Sequence, residues 1–137
     1  MAIFGTGGAG KSAMLRSLGV AAGFTVRGGP VHVYALDFGS RGLAMLDALP
    51  HVGSVIVGSD EERVQRLVTW LRGLVDERAA RYTAVNASTI TEYRTLAAAP
   101  EEPRILVLLD NFPAMRAAYE ATQNAWILDT LISVAGD

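Results

Sequence analysis

Lys11 is the only lysine of this 137-residue chain, and it stands in Gly5-Thr6-Gly7-Gly8-Ala9-Gly10-Lys11-Ser12, which fits the pattern G-x-x-x-x-G-K-[ST] at every fixed position. Glycines at 5, 7, 8 and 10 allow backbone conformations closed to residues with a Cβ, so successive N–H groups can turn inward on phosphate oxygens. In such a loop Lys11 reaches the β- and γ-phosphates as a point charge, and the Ser12 hydroxyl completes the shell of a Mg²⁺ ion. A helix opening at Lys11 adds the positive end of its dipole. The predicted chemistry is nucleoside triphosphate binding. Gly5, Thr6, Gly7, Gly8, Ala9, Gly10, Lys11, Ser12 and Ala13 form the cradle, and Lys11 also serves the transferred phosphoryl group as a catalytic residue.

Such a site requires a second acid for the metal. Ile105-Leu106-Val107-Leu108-Leu109 is an apolar strand ending at Asp110, separated from the phosphate loop by two other strands. In P-loop enzymes that carboxylate lies at the carboxyl edge of the sheet beside the loop's Ser or Thr, so Asp110 is the expected partner of Ser12 on the metal. Taken alone, it would read as an Asp that merely ends a strand. Many ATPases of this layout place a glutamate next, to orient and deprotonate the attacking water. Here the next residue is Asn111. An amide can position water but cannot accept its proton, so hydrolysis is expected to be slow or to need another base. Asn111 also suits the N-cap of a helix containing Pro113, and both roles stay open.

The elements that must hold these residues alternate between strand and helix signals, which predicts an α/β fold with a mostly parallel sheet covered on both faces. Ala2-Ile3-Phe4 reads as a strand end, and a helix from Lys11 fades near residues 19–23. Arg27-Gly28-Gly29-Pro30 is a turn, followed by a buried strand over residues 31–37, a loop at 39–42, a short helix at 43–49 ended by Pro50, and a strand at 52–57. Ser59 and Glu62 predict a capping box for a long helix to about residue 85, with Val64, Leu67, Val68, Leu71, Leu74 and Val75 at helical spacing. Thr89 and Glu92 predict a second box on a short helix. After the 105–110 strand, helical residues run to the end with a break near Gln123-Asn124.

Composition narrows the function classes. A chain of this length, half of it hydrophobic, can bury one core and form one domain. Eleven of the twelve basic residues are arginines, spread without clustering, and with a net charge of −2 this argues against a dedicated nucleic-acid binder. The absence of cysteine excludes disulfides and thiolate metal sites. The longest apolar run is too short to cross a bilayer and no signal peptide precedes the loop, so a soluble segment without direct membrane contact is expected. His32 and His51 have no companion at ligand spacing. Trp70 is expected to pack near the apolar stripe of the long helix. Trp126, Leu128, Leu131 and Ile132 read either as core of a larger protein or as an exposed docking surface.

Together, Gly5 to Ser12, the segment Val31-His32-Val33-Tyr34-Ala35-Leu36-Asp37-Phe38-Gly39-Ser40-Arg41-Gly42-Leu43, and Arg104 to Asp110 resemble the FtsK/SpoIIIE family of ATPases. Within it the chain is most similar to the ATPase modules of EccC-type proteins of type VII secretion. The resemblance covers nearly the whole chain and implies a three-layer RecA-like P-loop NTPase fold, ATP with Mg²⁺, and neighbouring ATPase modules or identical subunits in a ring. It further implies secreted proteins as substrates and a membrane-anchored parent whose motor domains face the cytoplasm. Asp37 matches an acid ending the family's second strand and is at least as suited to capping the adjacent loop. Asn111 departs from the family's usual acid. Family chains also continue into further strands after the last helix, so residues 1–137 read as a partial domain of a longer protein. Three functions follow as expectations: an ATPase module for protein export, a non-hydrolysing nucleotide-binding regulatory or scaffold module, and, disfavoured by charge, a DNA translocase.

Overall fold

The computed structural model describes residues 2–5, 9–23 and 30–135, with the backbone alone for 2–5, 9–12 and 135. The strands are β1 (Ala2–Gly5), β2 (Val31–Asp37), β3 (Val52–Val57) and β4 (Arg104–Asp110). They form one sheet in the order β1-β4-β2-β3, every pairing parallel. Parallel neighbours need long crossovers, usually helical. Here α1 (Ala9–Ala22), a 3-10 helix (Ala44–Ala48), α2 (Glu61–Ala84) and α3 (Ile90–Leu96) lie between strands, and α4 (Phe112–Tyr119) and α5 (Trp126–Ala135) follow β4. The two strands that separate β4 from the phosphate loop in chain order do not separate them in the sheet. Thr6, Gly7 and Gly8, and the predicted turn at Arg27-Gly28-Gly29, lie outside the described residues.

Side chains alternate across each strand and so divide the core in two. Val33, Ala35 and Leu108 meet Leu15 of α1 and Leu43 and Leu46 at the 3-10 helix. Leu36, Ile56, Val107 and Leu109 meet Val64, Val68 and Leu71 of α2, Met115 of α4, and Ile127 and Leu131 of α5. The result is the expected three layers, with α1 on one face and α2, α4 and α5 on the other.

Element boundaries depart from the sequence reading in instructive ways. The cap of α2 is Asp60, whose carboxylate accepts from Arg63 N, and not Ser59. A charged acceptor beside the positive helix end outcompetes the hydroxyl one residue earlier, and Glu62 instead pairs with Arg66 one turn on. Helix α1 opens at Ala9 rather than Lys11, and the short helix before Pro50 is a 3-10 turn. The Thr89 box forms: its hydroxyl accepts from Glu92 N at 3.1 Å while the Glu92 carboxylate accepts from Ser88 N at 2.8 Å. Trp70 is 44% exposed, with its ring tilted against Tyr34 at 5.0 Å between centroids, so it lies at the margin of the stripe. Leu128 and Leu131 are buried, as core packing predicts, whereas Trp126 and Ile132 remain exposed.

The arginines are not scattered in space. Arg78 and Arg81 of α2 converge on the Glu102 carboxylate at 3.2 and 2.9 Å. Arg94 of α3 donates to the Glu102 carbonyl at 2.9 Å and to that of Pro30 at 3.2 Å. The Arg81 guanidinium also lies 5.4 Å from the centre of the Tyr93 ring, which stacks on Tyr82. This clamp ties α2, α3 and the amino-terminal starts of β2 and β4. The Arg81 hydrogen bond holds the Glu102 carboxyl below its usual range. A lowered folded-state value means that folding favours the ionised form, so the contribution is complete above the ordinary glutamate range and is lost as pH falls through the folded value. Glu102→Gln is expected to destabilise the chain by about 2 kcal/mol at pH 7, between an exposed and a fully buried pair. In urea unfolding across a pH series, the gap between variant and parent should narrow as pH falls below the ordinary glutamate range.

Candidate functional site

The carboxyl ends of three strands are in register. Gly5 of β1 pairs with Asp110 of β4, which pairs on its other side with Asp37 of β2. Alternation gives Asp110 the same side as Leu108, and Asp37 the same side as Val33 and Ala35, which is the side covered by α1. The first residue of the phosphate-loop pattern and the two acids thus form one row at the sheet edge from which the loop departs. Both carboxylate residues are nearly inaccessible, with 1% exposure for Asp110 and 3% for Asp37.

Helix α1 begins at Ala9, immediately after the loop, so Gly10, Lys11, Ser12 and Ala13 occupy its first turns. Amide groups of a first turn have no intrahelical partner and face outward along the axis, where an anion can take them. A strand before the motif and a helix from Ala9 stand in the order that the motif requires. The carboxyl end of α1 is held separately: His51 Nε2 lies 2.6 Å from the Gly19 carbonyl oxygen. His51 therefore has a structural hydrogen bond, and no cluster of His, Cys, Asp and Glu suited to a further metal occurs among the described residues.

Asp37 closes the loop after β2. Its Oδ1 accepts from Gly39 N at 2.9 Å and its Oδ2 from Leu43 N at 3.1 Å, which is the capping alternative raised by the sequence. Asn111 is the N-cap of α4: its Oδ1 accepts from Ala114 N at 3.3 Å, and Pro113 sits in the first turn. Its backbone is left-handed, with φ of 65°, a conformation Asn tolerates better than most residues. The cap role is thus occupied, and the side chain that follows Asp110 is engaged with its own helix. Sequence reasoning missed Arg16, which donates from Nη1 to the Gly42 carbonyl at 3.0 Å, and Gly39, which lies against Asp110. An Asp two residues before a Gly was a legible signal for a side-chain-closed turn. Arg16 carried none.

A model of the FtsK/SpoIIIE family matches residues 1–135. The ESX secretion system protein EccC of Thermomonospora curvata is 34% identical over 85% of this chain and 9% of its own length. EccC4 of the ESX-4 secretion system of Mycobacterium tuberculosis is 31% identical over 91% of this chain and 10% of its own. The solved structure of ATPases 2 and 3 of EssC from Geobacillus thermodenitrificans superimposes with a TM-score of 0.72 at 30% identity, covering 93% of this chain and 24% of that one. The chain therefore spans about a tenth of these two secretion proteins and about a quarter of the solved chain.

The Asn111 geometry makes a separable prediction. Asn111→Ala removes the cap and places a Cβ residue without a compensating side-chain bond at positive φ, for an expected loss of about 2 kcal/mol. Asn111→Gly relieves the backbone and should cost less than half of that. Thermal or chemical unfolding of the two variants checks the order.

Proposed function

The chain belongs to the FtsK/SpoIIIE family, and from that premise we propose that it is an ATP-binding module of a translocation ATPase serving type VII protein secretion. The observation that carries this reading is the row Gly5, Asp110 and Asp37, set beside the start of α1. The donor set fits the group it would hold, with a hydroxyl and a buried carboxylate for a hard divalent cation and a glycine-rich loop with one lysine for phosphates. In this reading residues 1–137 are a single P-loop NTPase unit, partial with respect to the parent's domain. Its partners are neighbouring modules or identical subunits of a ring, and secreted proteins are the cargo. The parent acts at the cytoplasmic face of the membrane, and no helix among the described residues is long and apolar enough to cross it.

In the mechanism, Gly5 to Gly10 and the first amides of α1 bind and orient the phosphate chain. Lys11 draws charge from the β- and γ-oxygens, and Ser12 and Asp110 hold Mg²⁺. When bound, Mg²⁺ neutralises charge that develops on the phosphoryl oxygens. Asn111 can orient a water through its amide only if it relaxes its bond to Ala114 N, and it cannot take the proton. That favours slow turnover and supports, as the second reading, a nucleotide-binding regulatory or scaffold module. DNA translocation gains nothing from the arginine clamp, because its guanidinium groups face Glu102 and backbone carbonyls.

Calorimetric titration of ATP·Mg²⁺ into the chain tests the assignment. Saturable binding is expected, with Lys11→Ala losing it beyond detection. Equal affinity in both proteins would sink the assignment. Asn111→Glu supplies a proton acceptor in place of the amide, and ATP turnover in an assembly with its neighbouring modules should rise even though the cap is weakened. No gain there would leave the regulatory reading in possession.

A further inference from the structure

The loop of residues 38–42 joins the metal-side acid to the phosphate helix. Phe38 N donates to the Asp110 carbonyl at 3.1 Å. Both carboxylate oxygens of Asp37 are taken by amides at the two ends of the loop, Gly39 N and Leu43 N. The Gly42 carbonyl accepts from Arg16, one helical turn beyond Ser12 on α1. The middle of this arrangement is a close approach: a Cβ on Gly39 would stand 3.0 Å from Asp110 Oδ2, 3.4 Å from its Cγ and 3.5 Å from Asp37 Oδ1. Gly39 is not in the left-handed region, so its lack of a side chain answers to space and not to φ.

We infer that this loop is a strap that fixes the Asp110 carboxylate relative to the phosphate helix, with Asp37 and Arg16 as positioning residues and Gly39 as the surface against which the carboxylate rests. The inference rests on the nucleotide reading and deepens it. Asp37 is assigned no place on the metal, because its two oxygens already close the strap. A carboxylate free to turn about its own torsions holds a small, octahedral cation poorly, and groups that orient a metal ligand typically change affinity by 10–100-fold. The strap presses on Asp110 from β2 and is itself pinned to α1. The distance between the two halves of the cation site is therefore set by residues that touch neither phosphate nor metal.

The test is titration of ATP into the full chain with and without Mg²⁺, for the parent, Gly39→Ala, Asp37→Asn and Lys11→Ala. Gly39→Ala removes no charge and no hydrogen bond. It is expected to keep the parent's melting temperature within a few degrees, to keep the Mg²⁺-free affinity, and to lose about tenfold in the affinity gained on adding Mg²⁺. Asp37→Asn, which retains one acceptor of two, should shift the same quantity in the same direction. An undiminished Mg²⁺ gain in folded Gly39→Ala overturns the inference, as does a parallel loss of both affinities with a lowered melting temperature, which marks a merely structural role. A parent chain without Lys11-dependent binding overturns the nucleotide reading and this inference together, so the parent titration tells the two failures apart.

Discussion

Two-sided parallel pairing of β4 is the constraint on which the rest depends. Along its carboxyl half each residue has a partner on β1 and another on β2, and this alone brings Gly5, Asp110 and Asp37 into one row. A slip of one residue would turn Asp110 toward α2, among the partners of Leu109, and a slip of two would move it about 7 Å along the strand. Burial of Val107, Leu108 and Leu109 on alternating faces makes the one-residue slip costly, because it would carry a leucine from one core to the other, and the two-residue slip would move each of them away from the partners it packs against. The position of one polar residue is thus enforced by apolar neighbours that have no chemical role.

The two edges of the sheet handle charge in opposite ways. At the amino edge, Glu102 is flanked by Arg78 and Arg81, and Arg81 also pairs with Glu77, so two guanidinium groups meet two carboxylates. At the carboxyl edge, the two buried acids Asp110 and Asp37 stand on either side of Gly39, and both oxygens of Asp37 are taken by backbone amides. A pair of carboxylates out of water is tolerable when amides, a helix dipole or a bound cation answer them. Asp37 has its amides, and the dipole end of α1 lies on the same face.

Much of this was legible in the sequence, for identifiable reasons. β4 carries the continuous apolar run Ile105 to Leu109, the signature of a central strand buried on both faces, and β2 and β3 are short valine-rich segments with clear ends. The strand before the glycine-rich segment and the helix after it were legible because the motif's pattern requires both flanks. Asn111 was left between two roles, since an N-cap and a water-orienting amide call for the same residue type. The Asp60 cap was missed because Ser59 offered a better-known pattern one position earlier. The arginine clamp and the Arg16 contact could not be seen, because they join residues whose separation in the chain carries no periodic signal. A guanidinium in sequence looks the same whether it ends in water or against a carbonyl.

Direct pairing of β1 with β4 also orders events in time. The partners Ala2 and Val107 are far apart in sequence, so their pairing closes a loop containing α1, β2, β3, α2 and α3. Contacts of such long span form late, after α1, β2, β3 and α2 have had the opportunity to pack locally. As the chain is made, the segment of Gly5 is formed before β4 follows, so the row of Gly5, Asp110 and Asp37 assembles in one step, when β4 enters the sheet between β1 and β2.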